Sequence, residues 1–154
     1  MSEKAQKYWD EYWQNKGQAA PAIVKAEQFG AEYTEMADEL AQLIIRGKKT
    51  ATCSNHILYE LENEPLPAVG LHTIILNSKD EPVAIIKTTE VEVLPMNKVT
   101  AEFAAAEGEG DLSYEYWWEG HKRFFTMELA ERGREFSEDM LVVCERFELV
   151  DVKT

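Results

Sequence analysis

The chain has 154 residues, with 16 Lys plus Arg against 29 Asp plus Glu, a formal net charge of -13 and a pI near 4.7. Its length and 45% hydrophobic content suffice for one domain with a real core and leave little room for a second. The acidity runs throughout, with 10 basic and 15 acidic residues before Thr100 and 6 and 14 from there on, which argues against a long duplex nucleic acid held along a basic groove and leaves room only for a local basic pocket.

The opening stretch, MSEKAQKYWDEYWQ, is charged and aromatic and lacks the apolar core of a signal peptide, and no run reaches the ~20 apolar residues of a membrane span, so a cytoplasmic protein without membrane contact is expected. From Ser2 to about Lys16 the chain reads as an amphipathic helix, with Ser2 as N-cap, Tyr8/Tyr12 and Trp9/Trp13 at i,i+4, and Gly17 as the stop. Gln18 to Gln28, with Pro21, reads as a connector. Tyr33, Met36, Ala37, Leu40, Leu43 and Ile44 then recur at helical spacing until Gly47. Lys49 to Ser54 suggests a short strand, and ENEPLPAVG a proline-bearing loop. LHTIILN and PVAIIKTTEVEVL, separated by SKDE, predict a hairpin closed at Pro95. A short helix is expected from Asn97 or Thr100 through Ala106. After EGEGD, Ser113 caps a helix carrying Trp117, His121, Phe124 and Phe125 to about Ala130. MLVVCERFELVDV closes the chain as a strand. Helices and strands that do not alternate as βαβ units predict an α+β fold with a largely antiparallel sheet, curled into a small barrel.

Three places draw attention as chemistry. In GKKTATCS, Lys49 could serve as a base or oxyanion partner and Thr52 as a hydroxyl nucleophile. Residues three apart do not share a face of an ideal strand, so their meeting requires a bend near Gly47 and Lys48. The plain alternative is a C-capping glycine followed by lysines drawn to the negative helix end. In AEGEGDLSYEYWW, Glu107, Glu109 and Asp111 alternate with Gly108 and Gly110, a pattern that either presents carboxylates to a cleft or makes a solvated acidic linker. Its spacing does not fit a calcium loop, and no Cys or His set has zinc spacing, so no metal or cofactor is expected. His56, His72 and His121 stand alone and read as structural. Cys53 reads as a small buried thiol rather than a nucleophile paired with His56, and Cys53 and Cys144, far apart in sequence, indicate no disulfide framework. Most rings around Tyr114, Tyr116, Trp117 and Trp118 should be core, with one at a cleft rim able to stack a base.

LIIRGKKTATCS, EGEGDLSYEYWWEGHKRFF and MLVVCERFELV together resemble the ASCH domain family, whose β-barrel is similar to the PUA domain of RNA-modifying proteins. The resemblance covers roughly Phe29 to Val150, which makes residues 1–28 an N-terminal helix and connector packed on a domain of residues 29–154. Gly47, Lys49 and Thr52 match the signature G-x-K-x-x-T-x-R, and Ser54 stands where the signature has arginine, removing a guanidinium that could grip a phosphate or carbonyl.

The resemblance implies RNA, nucleotide or nucleoside binding in a cleft beside this motif, and one branch of small members hydrolyses N4-acylated cytidines with a lysine, a threonine and a glutamate. Lys49 and Thr52 fall on the first two. Glu109 resembles the acid, with Glu107 next, and Gly47, Lys48, Ser54, Glu107 and Trp117 are the implied substrate contacts. Longer members imply a ribonuclease acting on single-stranded RNA instead, and a non-catalytic RNA-binding module is the third reading. The partner class is thus a nucleoside, nucleotide or short single-stranded RNA; the sequence carries no signal for oligomeric state. Amide hydrolysis with Lys49 as base requires it to be partly neutral near pH 7, and moving a lysine from about 10.4 to about 7.5 costs roughly 4 kcal/mol.

Overall fold

The computed structural model describes residues 1–30 and 34–154. Helix α1 (Glu3–Lys16) begins where the Ser2 side chain accepts from the Ala5 N–H and ends at Gly17 in a left-handed conformation, φ 69°. Its Ala5, Tyr8 and Trp9 are buried against Ile74 and Ile85, and the Tyr8 hydroxyl donates to Asp151 Oδ2 at 2.7 Å. The expected connector contains a strand, β1 (Val24–Glu27). Helix α2 (Thr34–Ile45) buries Ala41 and Ile44 against Ile75, Ala84, Ile86 and Phe147. Tyr33, expected on this helix, lies outside the described residues.

Strand β2 (Ala51–Asn55) runs directly into helix α3 (His56–Leu61), which has no buried residue and which the apolar pattern does not announce. The hairpin is formed by β3 (His72–Leu76) and β4 (Pro82–Pro95), with Asn77 Oδ1 accepting from the Lys79 and Glu81 N–H groups in the turn. A 3₁₀ turn (Met96–Lys98), α4 (Ala101–Ala106), α5 (Tyr114–Ala130) and β5 (Leu141–Val152) complete the chain.

The strands form one sheet in the order β1-β3-β4-β5-β2. β1 runs parallel to β3, with Val24 beside His72, and the remaining pairs are antiparallel. Neighbouring residues on a strand face opposite sides: Ile74 and Ile85 meet α1, whereas Ile75 and Ile86 meet α2. A third cluster packs Met96, Phe103, Trp117 and Phe125 onto Ala51, Val142 and Cys144.

The expected barrel is not formed. β1 and β2 are edge strands, each paired with one neighbour and not with the other, and the parallel β1–β3 pair makes the sheet mixed. Register shifts within the β4–β5 ladder, between Ile85 and Ile86 and between Thr88 and Glu90, curve it. No ladder joins the two edges among the described residues; Lys25 and Glu27 of β1 and Thr52 and Ser54 of β2 instead line one shared cavity. Among the described residues no helix is long and apolar enough to cross a membrane.

Candidate functional site

The bend required between Lys49 and Thr52 is present. Gly47 takes φ 75°, the Lys48 and Lys49 N–H groups both donate to Leu43 O at 2.9 and 3.1 Å, and β2 starts only at Ala51. The Thr50 N–H donates to Ala106 O at 2.8 Å, tying this bend to the end of α4. Thr100 caps α4 by accepting from the Phe103 N–H, and Glu107 follows as its last cap residue. Gly108 then turns at φ 74° with its backbone directly on the lysine segment: a Cβ there would lie 2.3 Å from Lys48 O. Only glycine accommodates both the positive φ and this approach.

The result is a buried ion cluster. Lys49 Nζ lies 3.1 Å from Glu107 Oε1 and 3.1 Å from Glu109 Oε2, although Lys49 is only 2% exposed and Glu107 only 1%. The Glu109 side chain is 25% exposed and is the carboxylate that reaches solvent. Helix α5, capped by Ser113, turns Trp117 and His121 onto the same group at i,i+4. Trp117 Nε1 donates to Glu107 Oε2, which also lies 3.1 Å from His121 Nε2. His121 Nδ1 is 2.8 Å from Trp117 O. Carbonyl and carboxylate oxygens only accept, so both ring nitrogens donate and His121 is an imidazolium.

Burial would by itself lower the Lys49 pKa, but the charges of Glu107 and Glu109 outweigh it and hold the ammonium above its ordinary value. Burial likewise disfavours the Glu107 carboxylate, yet His121, then Lys49, bring it down to about 2. His121 is raised because Glu107 overcomes its desolvation. Two cations and two carboxylates thus balance, and Lys49 is a charged group. A neutral Lys49 acting as the base is therefore ruled out, and the residue is instead a fixed ammonium suited to polarising an oxygen.

The cluster forms part of the wall of a cavity of about 780 Å³. Thr52 and Ser54 also line it. Ser54, in the signature's arginine position, shares a 2.8 Å hydrogen bond with the Tyr59 hydroxyl. No hydrogen bond joins Thr52 to Lys49 or either glutamate among the described residues. Gly47 and Lys48 are exposed and do not line the cavity; their geometry makes the bend. Trp117 is buried, anchors Glu107 and stacks on His121 with 4.5 Å between ring centroids. The ring at the rim is Tyr116, 52% exposed, lying across Gly110.

His121 is the residue that sequence reasoning assigned to structure alone. The signal was its i,i+4 spacing from Trp117, which says that two polar ring nitrogens share a helix face but not what that face meets. Among the described residues, Cys53 Sγ, a Glu107 oxygen and a His121 nitrogen lie within 4.8 Å of one another and form the group able to approach a metal ion. Their chemistry fits one poorly: Glu107 already accepts from Lys49, Trp117 and His121, and burial and the neighbouring Cys144 push the Cys53 thiol well up, away from the thiolate that a metal needs.

A family model described as the ASCH domain matches residues 25–151. A crystal structure from Enterococcus faecalis is similar to this chain at 42% identity with a TM-score of 0.89, covering 99% of this chain and 91% of that one. The crystal structure of an ASCH domain from Lactobacillus crispatus is similar at 36% identity with a TM-score of 0.89, covering 97% of this chain and 95% of that one. No curated protein matches the chain.

Proposed function

The chain belongs to the ASCH domain family, and from that premise we propose that its cavity binds a nucleoside-type ligand, free or as a unit of short single-stranded RNA, and hydrolyses an amide on it such as that of an N4-acylcytidine. Family membership supports a role directed at RNA or its components in general. The observation that carries the finer reading is the buried Lys49 ammonium, held 3.1 Å from each of two carboxylates in the wall of a cavity large enough for a nucleoside.

In this reading Lys49 stabilises the oxyanion that forms on the acyl oxygen as the C=O π pair moves onto it. The Thr52 hydroxyl adds to that carbon, Glu109 receives its proton and returns it to the leaving nitrogen, and water then releases the acyl group by the same steps in reverse. Glu107 holds Lys49, and His121 and Trp117 hold Glu107, without exchanging protons with the ligand. Tyr116 supplies a ring for stacking at the rim.

The test is incubation of the pure protein with N4-acetylcytidine and, in parallel, with a short single-stranded RNA. Release of acetate by the wild type, abolished in Lys49→Met, Thr52→Ala and Glu109→Gln, is the expected result. Cleavage of the RNA with the acetylcytidine untouched would overturn the amide reading in favour of a ribonuclease. The missing hydrogen bond between Thr52 and the carboxylates favours one second reading, a binding module: ligand binding that survives Thr52→Ala, with no turnover of either compound by the wild type, would establish it.

A further inference from the structure

We propose that Asn55 is the base-reading residue of the cavity, its side-chain amide pairing with the hydrogen-bonding edge of a nucleobase. The proposal rests on the nucleoside reading of the cavity and adds to it the group that recognises the base. Asn55 is the last residue of β2 and stands at the N-cap position of α3, yet its side chain makes no capping hydrogen bond. It is 2% exposed, lines the cavity, and neither Oδ1 nor Nδ2 has a partner. A buried amide with both ends unpaired is costly, and folding alone gives no return for it here, because the cap that asparagine usually makes is not used.

The local geometry shows why a ligand would meet it. β2 is an edge strand, so the cavity is lined from both of its faces, by Thr52 and Ser54 on one and by Cys53 and Asn55 on the other. The Phe147 N–H donates to Thr50 O, and alternation along the antiparallel pair then directs the backbone groups of Thr52 and Ser54 toward β5 and those of Cys53 toward the open edge. A flat ligand lying along this edge meets backbone donors and acceptors and, at the end of the strand, the Asn55 amide. Leu58 and Phe124 supply apolar wall nearby. Thr52 and Asn55 are three residues apart on an extended strand, about 10 Å, a span that a nucleoside can cover with its base at one end and its reacting or charged group at the other. An amide presents one donor and one acceptor side by side, the complement of a base edge that carries an acceptor next to a donor.

The test is titration of the common ribonucleosides, and of short single-stranded RNAs of one base each, into the wild type, Asn55→Leu and Asn55→Asp, with a melting temperature for each protein. Asn55→Leu should weaken nucleoside binding about tenfold or more and flatten base preference, while the unliganded protein melts no lower than the wild type, since the amide has no partner to lose. Asn55→Asp, which only accepts, should shift preference toward guanosine, whose edge offers two adjacent donors. Nucleoside binding that keeps its strength and preference in Asn55→Leu, or a melting temperature that collapses in that variant, overturns the assignment and leaves the nucleoside reading standing. Wild type that binds no nucleoside and no RNA overturns both. Response to the RNAs alone would identify the base as one carried on a strand.

Discussion

Lys49 Nζ and Glu107 Oε1 lie 3.1 Å apart with both side chains shut away from water. They come from segments 58 residues apart, and each has a second partner: Glu109 for the lysine, and His121 with Trp117 for the glutamate. A buried ion pair of this kind contributes little net stability, but removing one member leaves the other uncompensated.

Glu107→Ala is therefore expected to destabilise the protein by about 3–5 kcal/mol, because it strands the His121 imidazolium and the Trp117 N–H and leaves the buried Lys49 ammonium with Glu109 alone. Glu109→Gln should cost much less, since that carboxylate is partly solvated and Lys49 keeps Glu107. Urea denaturation of the two variants gives the comparison; equal losses would contradict the division of roles between the two acids.

The His121 pKa is raised in the folded protein by Glu107. Its contribution to stability is thus complete below the unfolded value of about 6.5 and is lost as pH rises through the raised folded value. Glu107 has the opposite sign: with a folded pKa of about 2 against 4.5, its contribution is present above 4.5 and disappears as pH falls toward 2. NMR titration of the imidazole, with denaturation midpoints from about pH 5 to about pH 9, should show the alkaline decline in the wild type, and His121→Gln should remove it.

Gly108→Ala should be more damaging than Gly47→Ala, although both residues have similar positive φ. At Gly47 an added Cβ meets nothing within 4 Å, so only the left-handed conformation costs, about 1–2 kcal/mol. At Gly108 the same atom would be 2.3 Å from Lys48 O, which forces the acidic loop away from the lysine. Thermal melts rank the two, and Gly108→Ala should also weaken ligand binding, whereas Gly47→Ala should leave it nearly intact.

Cys53 sits directly opposite Cys144 across the β2–β5 ladder, and burial followed by the hydrogen bond that its S–H donates to Cys144 pushes its thiol up. A thiol reagent at about pH 8 should label the native protein slowly and the urea-unfolded protein fast. Rapid native labelling at Cys53 would mean that the thiol is a thiolate and that the cluster carries a different charge.

Elements bounded by their own residues were legible in the sequence. Ser2 and Gly17 delimit α1, Ser113 opens α5, and the alternation on either side of SKDE marks the hairpin, because caps and turns act within a few residues. β1 was not legible: four residues, VKAE, carry no alternation, and they are a strand only because β3 offers an edge. α3 was missed because it buries nothing. Of the site, the local motif gave Lys49 and Thr52, and the acidic loop gave both glutamates. His121 was read as structural and Asn55 was passed over, since the Glu107 carboxylate that His121 meets is 14 residues away and the cavity that Asn55 lines is assembled from distant segments.

The sequence by itself determined where the capped helices α1 and α5 start, which faces are apolar, and that a lysine, a threonine and an acidic glycine-rich loop were available. Only the tertiary structure decided that the sheet stays open, that the lysine is charged, and that Glu107 is matched by a histidine 14 residues further on. The physical reason is that caps and periodicity are local interactions, written in consecutive residues. Strand closure, burial and the pKa of a buried ion instead depend on groups that meet only after the chain has folded.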